Sequence, residues 1–136
     1  MTGAVSIRPF EAADLSRLHE IREAAFRPVF QSFRQTVGEA VAETEFDEAE
    51  AEQGAFLDDC CKSDSSHKVF VALKGSEIIG FMAVSLDEKK KIGEIGLNAV
   101  HPSHAGQGVG RQLFGFATKL MREAGMKVAT VGTGGR

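Results

Sequence analysis

Apolar and polar positions along this chain follow two periods, and the points where one gives way to the other divide it into elements. Val5 and Ile7 alternate with Ser6 and Arg8, the period of a half-buried strand, until Pro9 interrupts it. Leu15, Leu18, Ile21, Ala25 and Phe26 then fall on one face of a helix, with Asp14 placed to cap its start. Phe30 and Phe33 lie in a less regular stretch that the pattern leaves unassigned. Thr36 and Glu39 fit a capping box, in which the Thr hydroxyl accepts from an orphan amide while the Glu carboxylate accepts from the Thr amide. This pair predicts a second helix starting there and running, with a break at Gly54, to about Cys61 on the apolar anchors Phe46, Phe56 and Leu57. From His67 the period shortens to two, with Val69, Val71 and Leu73 alternating with Phe70, Ala72 and Lys74 up to a turn at Gly75 and Ser76. Ile78 to Leu86 is apolar enough for a central strand, and after a polar connection from Asp87 to Lys91, Ile92 to Val100 predicts another, completing an antiparallel meander. Val109, Leu113, Phe116, Ala117, Leu120 and Met121 restore the helical spacing, Gly125 closes that helix, and Lys127 to Thr133 predicts a last, β-branched strand.

With 136 residues and no low-complexity linker, these elements make one domain over residues 1–136. A composition of 43% hydrophobic and 26% charged residues suits a folded soluble α/β protein rather than a disordered chain. No apolar run approaches the ~20 residues that span a bilayer, and the amino terminus lacks a secretory pattern, so a cytoplasmic protein without membrane association is expected. Cys60 and Cys61 are adjacent, cannot tie distant segments together and lack the partners of a zinc site, so they are read as two reduced thiols, with no metal. The net charge of -3 is uneven: Glu39 to Asp59 holds nine acids and no Lys or Arg, leaving ten acids against 16 bases, a charge of +6, elsewhere. That segment is a solvated helix face or an attractor of a cationic substrate. Scattered Lys and Arg, with neither Trp nor Tyr for stacking, argue against a nucleic-acid partner.

The chemistry concentrates in Glu94 to Leu113, EIGLNAVHPSHAGQGVGRQL, where a strand turns through Pro102 into a glycine-rich lead to an amphipathic helix. Glycines 106, 108 and 110 leave the backbone uncovered. The first amides of a helix have no internal partner, so with the helix dipole they can donate to the oxygens of a diphosphate. Close packing of a helix on a strand also selects glycine, so the rhythm by itself leaves both readings open. A dinucleotide fold would place such a turn after its first strand, whereas here it follows three antiparallel strands. A P-loop needs Lys and then Ser or Thr after its last glycine, where Arg111 and Gln112 stand.

The stretch resembles the acetyl-CoA motif of the GNAT superfamily, Arg/Gln-x-x-Gly-x-Gly/Ala behind a strand ending in Val-His-Pro. Here it reads Ala105-Gly106-Gln107-Gly108-Val109-Gly110 after Val100-His101-Pro102, with Ala105 where Arg or Gln is usual and Gln107 close by as a partial substitute. Ile7-Arg8-Pro9 with Asp14 is similar to the family's opening strand and helix, so the likeness extends over nearly the whole chain. The resemblance implies an α+β fold in three layers, α/β/α, whose mixed, mainly antiparallel sheet is flanked by helices. It implies an N-acetyltransferase moving acetyl from acetyl-CoA to a primary amine of a small molecule or protein. The pantetheine arm would pair beside Ala99 and Val100 like an added strand, and Gln107, Gly108, Val109, Gly110 and Arg111 would hold the pyrophosphate, with Ala105 and Gly106 completing the cofactor-binding motif. Glu94 stands where several family members keep a general base, and burial on the sheet would raise its pKa.

His101 is read as structural, His104 as an exposed turn residue, Asn98 as an orienting or backbone-satisfying amide, and Lys89 to Lys91 as a solvated turn. Two other readings stand beside the enzyme: a binding module for acyl-CoA without chemistry, and a structural domain whose glycines serve packing. Family members usually continue beyond the strand at Lys127 with a helix, often bearing a Tyr that protonates the thiolate, and a hairpin. This sequence has no Tyr and ends at Arg136. The expectation is therefore a fold truncated at its carboxyl end that covers its open sheet edge with another copy, as a homo-oligomer.

Overall fold

The five strands β1 (Val5–Pro9), β2 (His67–Lys74), β3 (Glu77–Asp87), β4 (Ile92–Val100) and β5 (Val128–Val131) stand side by side in chain order. Each neighbouring pair is antiparallel except β4 and β5, which run parallel because helix α3 (Val109–Glu123) crosses over between them. Helices α1 (Leu15–Val37) and α2 (Glu39–Cys60) link β1 to β2. The arrangement comes from a computed structural model that describes residues 5–37 and 39–131, with side chains outside 29–47. None of the described helices is long and apolar enough to cross a membrane.

The sheet is covered on both faces. Leu18 and Ile21 of α1 and Leu57 and Cys60 of α2 pack on Val69, Val71, Phe81, Ala83, Leu97 and Ala99. On the opposite face Val109, Leu113, Ala117 and Met121 of α3 pack on Ala72, Ile79, Met82, Val84 and Ile95. Alternate residues of β3 therefore serve two cores, which is why Ile78 to Leu86 reads as an unbroken apolar run. This is the three-layer, mainly antiparallel arrangement expected, and the meander from His67 to Val100 falls where the pattern put it.

The amino-terminal half departs from the pattern in four places. The unassigned stretch holding Phe30 and Phe33 belongs to α1, which runs on through Pro28 to Val37, although the side chains of Phe30, Phe33 and Phe46 lie outside the described residues. Thr36 lies within α1, and α2 begins at Glu39, so the expected capping box does not start a helix. Gly54 does not break α2. A methyl group there would sit 3.3 Å from Nη2 of Arg22, and the glycine instead makes room for that guanidinium, which is buried between the helices. Arg22 donates to Nδ1 of His19 and to Oε1 of Gln53, while Nε2 of His19 lies 2.8 Å from Asp58. Burying a charge is tolerated where its protons are spoken for, and this polar clasp fastens α2 to α1.

Asp14 does not cap α1 from ahead. It ends the 3-10 turn Ala12–Asp14, and its carboxylate accepts from the Glu11 amide at 2.8 Å and from both terminal nitrogens of Arg8 at 2.8 and 3.1 Å. The hydrogen bonds from Arg8 hold the Asp14 carboxyl below its ordinary value. A carboxyl depressed in the folded state contributes stability above its unfolded pKa, and that contribution fades as pH falls through the folded one. Asp14→Asn is therefore expected to lower the thermal midpoint at pH 7 by on the order of 5 °C. The gap from the unaltered protein should close as the medium is acidified below about pH 4. A gap that stays constant in melts from pH 7 to pH 3 would show that the carboxylate's charge contributes nothing.

Candidate active site

Glycine decides how close α3 comes to the sheet. A methyl group on Gly80 of β3 would lie 3.1 Å from the Ala99 carbonyl and 3.4 and 3.5 Å from Val109 and Leu113, so its absence lets the first turn of α3 settle on the end of β4. Beyond Val100 the chain makes one more sheet-like bond, His101 N–H to the Ile79 carbonyl at 2.8 Å, and turns through Pro102–His104. His101 caps that turn: its Nδ1 accepts from the Ser103 amide at 3.1 Å and lies 2.8 Å from the Ser103 hydroxyl. The structural part expected of His101 is what the geometry gives. His104 is half-buried, with Nδ1 3.3 Å from Oε1 of Gln107.

The loop then reaches α3 through two residues in the left-handed region, Gly106 at φ 79° and Gly108 at φ 82°, where a side chain would be strained. Gly108 is the N-cap and offers no side chain to the free end of the helix. Among the described residues, no protein group accepts from the backbone amides between Gly106 and Arg111; the first amide past them, Gln112, donates to the Gly108 carbonyl. Ala105, Gly106, Gln107, Gly108 and Arg111 are exposed, and methyl groups built on Gly106, Gly108 and Gly110 would meet nothing within 4 Å. Val109 differs from its neighbours, because its side chain is sunk in the core and leaves only its amide for a ligand. The result is a run of unclaimed donors at a positive helix end, facing open space.

A second feature adjoins it. Between the pairs Ala83–Leu97 and Val84–Ile95 the register slips, so Gly96 is an extra residue in β4, a β-bulge. Strand β5 pairs with β4 only from Ile92 to Ile95. Past the bulge, from Gly96 to Val100, β4 is bonded to β3 alone among the described residues, leaving one row of backbone groups open. Ala99 is buried beneath that open edge and Val100 is half-buried.

Glu94 lies just before the bulge on the face covered by α1 and α2, opposite Ser85 of β3. It is half-buried rather than buried, so the sequestered carboxylate expected from sequence is not what the fold provides. Asn98, on the opposite face, is half-buried. The cysteines offer no alternative nucleophile. Burial, with neighbouring negative groups, pushes Cys60 up to about 12 and Cys61 to about 11, so neither is a thiolate at neutral pH.

A strand with a central bulge, an open edge beyond it, and a glycine loop presenting free amides at a helix start is a donor cradle looking for an owner, and the sequence supplies one. Residues 16–134 match the model of the acetyltransferase (GNAT) family. The chain belongs to that family. Among solved structures it is similar to a GNAT family acetyltransferase from Brucella melitensis in complex with acetyl-CoA, with 22% identity, a TM-score of 0.69, and 95% of this chain and 75% of that one covered. It is similar as well to the PaiA N-acetyltransferase of Thermoplasma acidophilum in complex with coenzyme A, at 19% identity and a TM-score of 0.68 over 90% of this chain and 75% of that one. A third likeness is to a glucosamine N-acetyltransferase region of a fungal multi-domain β-N-acetylglucosaminidase, at 20% identity and a TM-score of 0.71 over 98% of this chain and 14% of that one. At such identities the likeness is one of fold. No curated protein matches. This acetyltransferase thus carries the family's glycine loop with Ala105 at its head, and its bulge glycine, Gly96, escaped notice in the sequence although a lone glycine inside a strand pattern is a bulge signal.

Proposed function

We propose that this acetyltransferase moves the acetyl group of acetyl-CoA to a primary amine of a small molecule or protein. The row of unclaimed amides from Gly106 to Arg111 carries this reading, because paired phosphates are the ligands that such a row satisfies best. The pyrophosphate would sit on the amides of Gln107 to Arg111, and the pantetheine arm would add itself to the open row of β4 between Gly96 and Val100, bringing the thioester to the bulge. Two of the structures that share the fold hold acetyl-CoA or coenzyme A, which supports the donor, and the N-acetyltransferases among them support an amine as acceptor. Glu94, on the same face as the bulge glycine and two residues before it, would take the amine's proton.

Calorimetric titration with acetyl-CoA, followed by thiol release in the presence of amines, tests the reading in two stages. Donor binding with amine-dependent thiol release is the expected result. Binding without release would make the domain an acyl-CoA-binding module. No binding would remove both.

The strand β5 presents Val128 and Val131 to solvent at 51% and 56% exposure. We further infer that a second copy of the chain covers them, since an apolar strand that forms the sheet's edge among the described residues invites pairing. Light scattering is expected to give a dimer that Val131→Lys dissociates; a monomer at high concentration would refute it.

A further inference from the structure

The acetyl transfer proposed above leaves one proton without a carrier. An ammonium acceptor loses two protons on its way to the amide, one before nitrogen attacks the thioester carbonyl and one as the carbon–sulfur bond breaks. The departing thiolate takes up one and the other leaves for solvent, so that ammonium and thioester yield amide, thiol and a proton. A single carboxylate at Glu94 holds only one at a time.

The register of the sheet places a second group beside it. His67, Ser85, Glu94 and Thr130 are paired in turn across β2, β3, β4 and β5, which puts the four side chains in one transverse row. The row lies on the face covered by α1 and α2, since Ala83, two residues from Ser85, belongs to that core. His67 reaches furthest along it. A methyl group on the bulge residue Gly96 would lie 3.5 Å from Nε2 of His67 and 3.4 Å from Phe56 Cζ, so the imidazole spans β3 to touch β4 at the bulge. Phe56 of α2 holds the ring edge-on, with centroids 5.4 Å apart. Glu94 is on that face two residues earlier, about 6–7 Å along the strand. His67, Ser85 and Glu94 are half-buried, and among the described residues the ring nitrogens, the hydroxyl and the carboxylate have no hydrogen-bond partner. Half-exposed polar groups gathered on one face at a bulge, with no described partner, are free to meet a ligand. His67 also lines an open cavity of about 600 Å³, together with Cys60, Cys61, Lys62 and Lys68.

We propose that His67 is a second proton-handling residue of the acetyl transfer, taking a proton from the acceptor nitrogen at Nε2 and releasing one through its other nitrogen to the cavity. The proposal rests on the donor-site reading above. Glu94 removes the first proton and gives it up to the departing thiolate, His67 takes the second and passes it to the cavity, and the bulge glycine leaves the space in which the amine meets both. Ser85 lies between them and lends its hydroxyl to the acceptor or to a bridging water.

The test follows thiol release from acetyl-CoA with spermidine, glucosamine and lysine methyl ester, beside calorimetric titration of acetyl-CoA. In His67→Gln, kcat on the best of the three amines is expected to fall by about 100-fold with KM for acetyl-CoA and its Kd unchanged. In His67→Ala, added imidazole should enter the open cavity and restore much of the rate, which it would not do for a residue that only packs against Phe56. Wild-type kcat in His67→Gln, or no rescue of a folded His67→Ala, overturns the proposal, as would an unaltered protein that binds acetyl-CoA yet serves none of the amines. Failure of the unaltered protein to bind acetyl-CoA is read separately, by calorimetry, and overturns the donor-site reading together with this one.

Discussion

Acetyl transfer by Glu94→Gln is expected to run about 10²–10⁴-fold slower than by the unaltered protein, with the affinity for acetyl-CoA changed by less than about twofold. The amide has nearly the carboxylate's shape and still accepts a hydrogen bond, so the substitution removes the proton-accepting charge and little else. The position is forgiving, because Glu94 is half-buried at the end of the sheet with no described hydrogen-bond partner to strand. The donor's phosphates, on the proposed reading, sit at the start of α3, at the opposite end of β4 from Glu94, so their binding should not register the change. Thiol-release kinetics across a range of amine concentrations, with donor affinity measured alongside, separate the two effects. An unchanged kcat would take Glu94 out of the reaction. An equal loss in kcat and in donor affinity would point to disturbed structure rather than lost base.

The second large effect belongs to the glycine loop. Gly110→Val is expected to weaken acetyl-CoA binding by about 100-fold, roughly 2.7 kcal/mol, while leaving the thermal midpoint almost where it was. Gly110 lies in the first turn of α3 with ordinary helical geometry, and a methyl group there meets no protein atom within 4 Å. The branched side chain would therefore occupy only the space before the free amides, where phosphate oxygens are proposed to sit. Gly108→Val should lose the donor as well, but with a lower midpoint, because φ 82° is a region that β-branched residues avoid. Gly115→Ala, on an exposed part of the same helix with nothing within 4 Å, is the control that should bind normally. Undiminished binding by Gly110→Val would mean that the loop does not face the donor.

How much was legible beforehand varies along the chain for physical reasons. From His67 to Gly125 almost every element falls where hydrophobic period and turn residues place it, since strands and helix alternate quickly there and each buries its own face. Between Phe30 and Gly54 the pattern found the second helix, which spans Glu39–Cys60, but not how the first one ends or what Gly54 does. Thr36 and Glu39 make a cap on paper, yet the chain continues one helix past Thr36, and Gly54 is accommodated inside α2 by the buried side chain of Arg22. Local signals lose there to contacts between helices, which no single segment can report.

The site divides the same way. The sequence by itself determined the glycine loop and the helix it opens, because φ values near 80° at residues 106 and 108 are open to glycine and few others, and that requirement is written in the residue type. Its motif was enough to name the family. Tertiary structure alone decided that Gly96 is a bulge, that β4 past Ile95 pairs with β3 alone among the described residues, and that His67 reaches across β3 to the bulge, on the face that also carries Glu94. Those facts depend on register between strands far apart in the chain, and one slipped residue turns every later side chain to the other face.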